Sequence, residues 1–219
     1  MSKLPFPVIF EDYYLLVINK PAGMVVEYDS RHPSVEQYVR DYFQSQHPSR
    51  KTPFVGIVHR LDRPVSGVLL IAKTKQALVE CGKQFENRTT EKKYIARIEG
   101  IPVESEGILQ HWLLKDHKLK RSFVFDQPGK DRQECKLEYK VLPDEKHKNL
   151  LEIRLLTGRF HQIRAQLAYI GCPIVGDIKY GAKLKIGDNK IALHAVSLQI
   201  LHPKTGLECK WKAPMPNYM

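Results

Sequence analysis

No run in this 219-residue chain approaches the ~20 apolar residues that cross a bilayer as a helix, which excludes a helical membrane span. The first ten residues hold one lysine and two prolines, with no apolar core of the kind a secretory signal needs, and Glu11 and Asp12 follow at once. Cysteine is scarce and scattered at positions 81, 135, 172 and 209. There is no Cys-x-x-Cys pair, so neither a zinc knuckle nor a redox dithiol is supported. These features fit a reducing cytoplasm. A Gly-x-x-x-x-Gly-Lys-Ser/Thr loop is missing, so no phosphate-cradling P-loop is indicated. His-Glu-x-x-His is absent among nine histidines. Gly-x-Ser-x-Gly is absent too, because Ser66 stands in Val-Ser-Gly without the first glycine. No repeat, low-complexity tract or long linker interrupts the chain, and a single domain over residues 1–219 is the simplest expectation.

Acidic residues are also in short supply. Against 35 Lys and Arg stand 24 Asp and Glu, giving a formal charge of +11. With 42% hydrophobic and 27% charged residues the balance is that of a globular protein, so the excess charge points to a polyanionic partner, nucleic acid first. A basic enzyme without such a partner is the alternative.

The apolar pattern predicts strands at Val8 to Phe10 and Tyr14 to Ile18, closed by the turn-forming Lys20-Pro21-Ala22-Gly23. Ser34 with Gln37 reads as a capping box opening a helix that His47-Pro48 ends. Strands at Val55 to Val58 and Val68 to Ala72 follow. Thr74 then caps a helix with Leu78, Val79 and Phe85 near its apolar face. From Lys92 to Leu156 the reading is mostly β, with candidate strands at 94–98, 107–113, 119–125, 135–141 and 150–155. A helix from about Phe160 to Ile170 and strands at 191–200 and 207–212 complete the chain. This order implies an α+β fold with a mixed, largely antiparallel sheet and flanking helices.

Two segments stand out chemically. His59-Arg60-Leu61-Asp62-Arg63-Pro64-Val65-Ser66-Gly67 sets one carboxylate between two arginines, in a loop joining two apolar strands. Loops held by a rigid scaffold are where chemistry tends to sit, and flanking cations suit an ionised carboxylate. The plain alternative is a surface ion pair of little energetic value. Thr157-Gly158-Arg159-Phe160-His161-Gln162-Ile163-Arg164 opens the late helix. At helical spacing His161, Arg164 and Ala168 share a face. Arg159 and Arg164 can then project toward a cleft while Ile163, Leu167 and Ile170 anchor the helix; a solvated basic face is the alternative. His59 and His161 are conceivable metal ligands, but histidines without a ligand pattern more often orient a neighbour by hydrogen bonding.

Taken together, these segments resemble the RluA-type family of RNA pseudouridine synthases. The resemblance begins with Leu15-Leu16-Val17-Ile18-Asn19-Lys20-Pro21-Ala22-Gly23. It continues through Gly56-Ile57-Val58-His59-Arg60-Leu61-Asp62 with Ser66-Gly67, and Glu91-Lys92-Lys93-Tyr94. Thr157 to Arg164, Pro173-Ile174-Val175-Gly176-Asp177 and Leu193-His194-Ala195 follow in family order. Two departures stand against it. Val65 occupies a position where the family has threonine, which removes a loop hydroxyl. Only seven residues precede Val8, so the resemblance implies that the small N-terminal RNA-binding domain of many members is missing.

The resemblance implies a pseudouridine synthase fold with a central RNA-binding cleft, and a cofactor-free isomerisation of uridine in ribosomal or transfer RNA. The base leaves the ribose through nitrogen, turns, and rejoins through carbon. Asp62 matches the family's catalytic aspartate; attack on the ribose, attack on the base and removal of a ribose proton all remain open as its role. Arg164 matches the arginine that pairs with it. Tyr94 matches the tyrosine beside the flipped base, with a ring to stack and a hydroxyl for late proton transfer. Arg60 resembles the loop arginine that enters the RNA stack when the uridine is extruded. Arg159 and His161 are carried over as RNA contacts, and Leu193 as a wall of the base pocket. Lys115, Lys118, Lys120 and Arg121 form one candidate phosphate-binding cluster, and Lys183, Lys185 and Lys190 another. The expected protein is a cytoplasmic monomer without a metal. A catalytically inactive RNA-binding protein on the same scaffold is the main rival, and a hydrolase using Asp62 and His161 a second.

Overall fold

The computed structural model describes residues 3–46, 48–49, 52–143 and 149–219. His47, expected to help end the first helix, lies outside them. The chain forms two compact units, one of residues 1–90 and 195–214, the other of residues 91–194 and 215–219.

In the first unit β1 (Val8–Glu11), β2 (Leu15–Lys20) and β4 (Ser66–Ala72) pair in that order, β1 with β2 and β2 with β4 being antiparallel. Strand β10 (Leu193–Leu201) follows β4 in the sheet, and β11 (Glu208–Lys212) pairs with β10. Every residue of β4 and four of the first five of β2 are buried, so these strands read as continuous apolar runs, covered on both faces. The expected strand at Val55 to Val58 shrinks to β3 (Gly56–Ile57), which pairs only with Ile71 and Ala72 at the end of β4. Helix α1 (Val35–Gln46) buries Val35, Val39 and Phe43, four residues apart, on one stripe. Each such burial is worth roughly 1.5–3 kcal/mol. Its capping box is half formed: Ser34 Oγ accepts from the Gln37 amide, while the Gln37 side chain turns to Asp41. Helix α2 (Lys75–Glu86) is capped by Thr74 as expected, and Leu78 and Phe85 pack against the core as expected, but its buried residues are Ala77 and Cys81 and Val79 is 54% exposed. The small pair permits close approach to Val68, Leu70 and Trp211.

The second unit is built on β5 (Glu91–Arg97), β9 (Leu150–Leu155), β8 (Gln133–Val141), β6 (Glu106–Asp116) and β7 (Arg121–Phe125), paired antiparallel in that spatial order. Strands β6 and β8 alternate between buried and accessible residues, as half-covered strands do. Helix α3 (Gln162–Tyr169) packs against β6 and β7, and a 3-10 turn (Ile178–Tyr180) follows it. The helix starts two residues later than the sequence pattern implies, because His161 adopts a left-handed backbone (φ 54°). Helices and antiparallel strands in these proportions make the fold α+β.

Candidate active site

The Asp62 loop hangs from β4 and is tied down at several points. Leu61 and Val65 bury their side chains, and Asp62 between them is half-buried. The Val65 amide donates to the Asp62 carbonyl at 3.0 Å and closes a tight turn around Arg63 and Pro64. Val65 is 2% exposed, so this loop position takes an apolar side chain into the core. His59 is a structural post: its Nε2 accepts from the Leu70 amide at 3.1 Å and its ring stacks on Phe85. Gly67 has φ +120°, and a Cβ there would fall 2.2 Å from the Ala195 carbonyl oxygen, so only glycine fits.

The turn after β2 supplies the other half of the clamp. The Gly23 amide donates to the Arg63 carbonyl at 2.7 Å, and Arg63 Nε donates back to the Gly23 carbonyl at 3.0 Å. Beneath both lies Lys20, fully buried. Its Nζ donates to the carbonyls of Pro21 (2.9 Å), Met24 (2.8 Å) and Arg63 (3.3 Å). Burial pushes the ammonium down to about 7, and the negative charge of Asp62 opposes that fall. The sequence motif contains Lys20 but assigns it no role. The signal for one is a lysine ending an apolar strand just before Pro-x-Gly. Arg60, by contrast, projects outward: its side chain is 61% exposed and bridges to Glu27 at 2.7 Å.

In the second unit Tyr94 lies on β5 opposite Ile153 of β9 and is 8% exposed. Leu193 is buried at 3%. The Thr157-to-Arg164 segment is organised by Gln162, not by an ordinary helix cap. The Gln162 side-chain oxygen accepts from Thr157 Oγ1 (2.7 Å) and the Arg159 amide (3.0 Å), while its nitrogen donates to the Lys136 carbonyl and to Gln166. Arg159 folds its Nε onto the Glu134 carbonyl. Phe160 and His161 stack with ring centres 3.9 Å apart, and Lys115 sits over the Phe160 ring.

Arg164 does not lie on a solvated basic face, because residues 162–167 of α3 are buried all round. Its guanidinium forks onto Asp177, Nε to Oδ2 at 2.6 Å and Nη2 to Oδ1 at 2.9 Å, and both side chains are almost wholly buried. The Tyr180 ring lies 5.1 Å from the Arg164 guanidinium carbon. The Tyr180 hydroxyl accepts from the Ser122 amide and stands 3.0 Å from His161 Nδ1; burial raises its pKa above the ordinary phenol value. Asp177 belongs to a sequence motif without a role of its own, and a partner thirteen residues away follows no local spacing rule.

Comparison with known proteins gives this geometry its context. Residues 14–169 match the RNA pseudouridylate synthase family. Ribosomal large subunit pseudouridine synthase C of Buchnera aphidicola subsp. Schizaphis graminum (strain Sg) is 34% identical over 220 residues, covering 96% of this chain and 68% of that protein. Ribosomal large subunit pseudouridine synthase D of Blochmanniella floridana is 35% identical over 236 residues, covering 98% and 71%. The solved structure of Human RNA Pseudouridylate Synthase Domain Containing 4 has a TM-score of 0.79 at 24% identity over 96% of this chain and 89% of that one, a likeness of fold. The class is therefore that of isomerases that convert uridine in RNA to pseudouridine. Within it, the chain belongs to the RNA pseudouridylate synthase family.

Proposed function

We propose that this protein isomerises uridines of large-subunit ribosomal RNA in the cytoplasm, working as a monomer with residues 1–219 acting as one catalytic domain. The choice of ribosomal over transfer RNA rests on what the relatives of Buchnera and Blochmanniella are named for. Asp62 carries the reaction. The observation behind this assignment is the double clamp on its loop, with Lys20 and Gly23 both holding the Arg63 carbonyl beside a half-buried acid. A reacting group held this firmly loses little freedom on reaching the transition state.

In this reading the bond from uracil nitrogen to the ribose breaks, the ring turns, and the ribose carbon bonds to the fifth carbon of the base, whose proton leaves while the freed nitrogen takes one up. The net change is an isomerisation, so no oxidant or group donor enters the balance. Arg164 supplies the cation of the reaction, and Tyr94 offers the ring against which the flipped base stacks. Arg60, exposed on its loop, fills the gap left in the RNA. Arg159 and His161 contact the strand, and Leu193 lines the base pocket.

Affinity comes from fixed cations. The β6–β7 hairpin tip holds Lys118 and Lys120, both exposed, on a turn shaped by Asp116, whose carboxylate accepts from the amides of Lys118 and Leu119 at 2.8 Å. Lys183 and Lys185 are exposed on a loop pinned by Glu99, which accepts from the Lys183 and Leu184 amides. Such cations hold phosphates without reading sequence. The test is transcriptome-wide pseudouridine mapping in a deletion strain. Loss confined to large-subunit ribosomal RNA is expected. Loss only in transfer RNA, or none anywhere, would overturn the assignment, the latter favouring the inactive RNA-binding protein.

A further inference from the structure

We propose that Asp177 is the positioning residue for Arg164, fixing the plane and direction of its guanidinium through the buried fork. The inference deepens the reading above and rests on its assignment of Arg164 to the reaction. Asp177 Oδ2 and Oδ1 receive Nε and Nη2 at 2.6 and 2.9 Å, which fixes the guanidinium plane. The acid itself stands on rigid backbone. Its amide donates to the Ile174 carbonyl at 2.9 Å, and its carbonyl accepts from the amides of Tyr180 and Ala182. Gly176 before it has φ +89°, and a Cβ there would meet Ile186 and the Lys190 carbonyl at under 3 Å, so the chain passes through a slot only glycine fits. Tyr180, two residues past the start of the same 3-10 turn, lays its ring 5.1 Å from the guanidinium carbon and is held by the Ser122 amide. Carboxylate and ring thus both constrain Arg164 from one short segment.

Stability does not explain this arrangement well. A buried Arg–Asp pair loses so much hydration that apolar side chains of similar volume often serve the fold equally well. A cation that must point in one direction does need such a fork, because a bidentate contact fixes orientation as well as charge.

The experiment uses the full chain and large-subunit ribosomal RNA from a deletion strain, labelled with tritium at the fifth position of uracil. Single-turnover rates and RNA dissociation constants are measured for wild type, Asp177→Asn, Asp177→Glu, Arg164→Lys and the Arg164→Lys/Asp177→Asn double variant. Asp177→Glu keeps the pair's charge and lengthens the acid by one methylene, so it carries the test if Asp177→Asn does not fold. A displacement of about 1 Å at a reacting group costs about 100-fold. We expect both Asp177 variants to isomerise 30- to 100-fold more slowly (about that range, on the same ground), with RNA affinity within about two-fold of wild type. We expect the double variant to be no slower than Arg164→Lys, because residues acting as a unit are non-additive. A merely structural acid would lower the melting temperature and leave the single-turnover rate intact. Wild-type rates for Asp177→Glu beside a slow Arg164→Lys would overturn the proposal alone, as would multiplicative losses in the double variant. A wild-type rate for Arg164→Lys would remove Arg164 from the reaction and the positioning role with it.

Discussion

The Lys20 ammonium donates to the carbonyl of Arg63 across 3.3 Å, joining the end of one apolar strand to the residue after Asp62 across forty-three positions of chain. A charged group wholly out of water is costly unless it is fully engaged, and here three carbonyls and the field of Asp62 engage it. Lys20→Met should therefore loosen the loop and slow isomerisation on the order of 100-fold, with little change in RNA affinity. Single-turnover kinetics at saturating RNA check this.

The same lysine gives a pH signature in stability. Its pKa falls from an ordinary 10.5 to about 7 on folding. Between these values the unfolded chain binds a proton that the folded chain does not, so stability rises with pH across that window and falls as pH drops toward 7. Relative to Lys20→Met, wild type should gain about 2 kcal/mol of unfolding free energy between pH 7 and pH 9. Urea denaturation of both proteins across this range measures the difference. A flat difference would mean that Lys20 keeps its ordinary affinity for protons.

Gly67 admits no side chain. Its φ of +120° and the 2.2 Å approach to the Ala195 carbonyl mean that Gly67→Ala adds backbone strain and a steric overlap together. We expect a loss of roughly 3 kcal/mol or more, seen as a lowered denaturation midpoint. An unperturbed midpoint would show that the strand can shift to make room.

The hairpin lysines should act on affinity alone. Replacing Lys118 and Lys120 together with alanine should weaken RNA binding and make the salt dependence of log K shallower by about 1.5 to 2. The single-turnover rate at saturating RNA should not change. A loss of rate at saturation would place the hairpin in the chemistry as well.

Much of the scaffold is legible in the sequence because burial leaves a pattern. Strand β9 spans Leu150–Leu155 as the apolar run implies, and Thr74 caps α2 where its position suggests. The differences fall where one residue does something a pattern does not encode. His161 turns left-handed, so α3 starts late, and Gln162 organises the turn with its side chain. In α2 small residues face the core in place of the larger Val79, because close packing there rewards reduced volume. The residues proposed for the reaction, Asp62, Tyr94 and Arg164, are legible through the motifs that carry the resemblance, whereas Lys20 and Asp177 stand in those motifs without roles. Lys20 escapes periodicity because lysine is rarely buried. The Arg164–Asp177 fork escapes it because the two are joined by tertiary packing alone.

The most direct test of the account is tritium release from uridine-labelled large-subunit ribosomal RNA, comparing wild type with Asp62→Asn at equal RNA occupancy. Wild type should release tritium in step with pseudouridine formation, while Asp62→Asn should bind the RNA and release none above background. Equal release by both proteins would contradict the assignment of the reaction to Asp62.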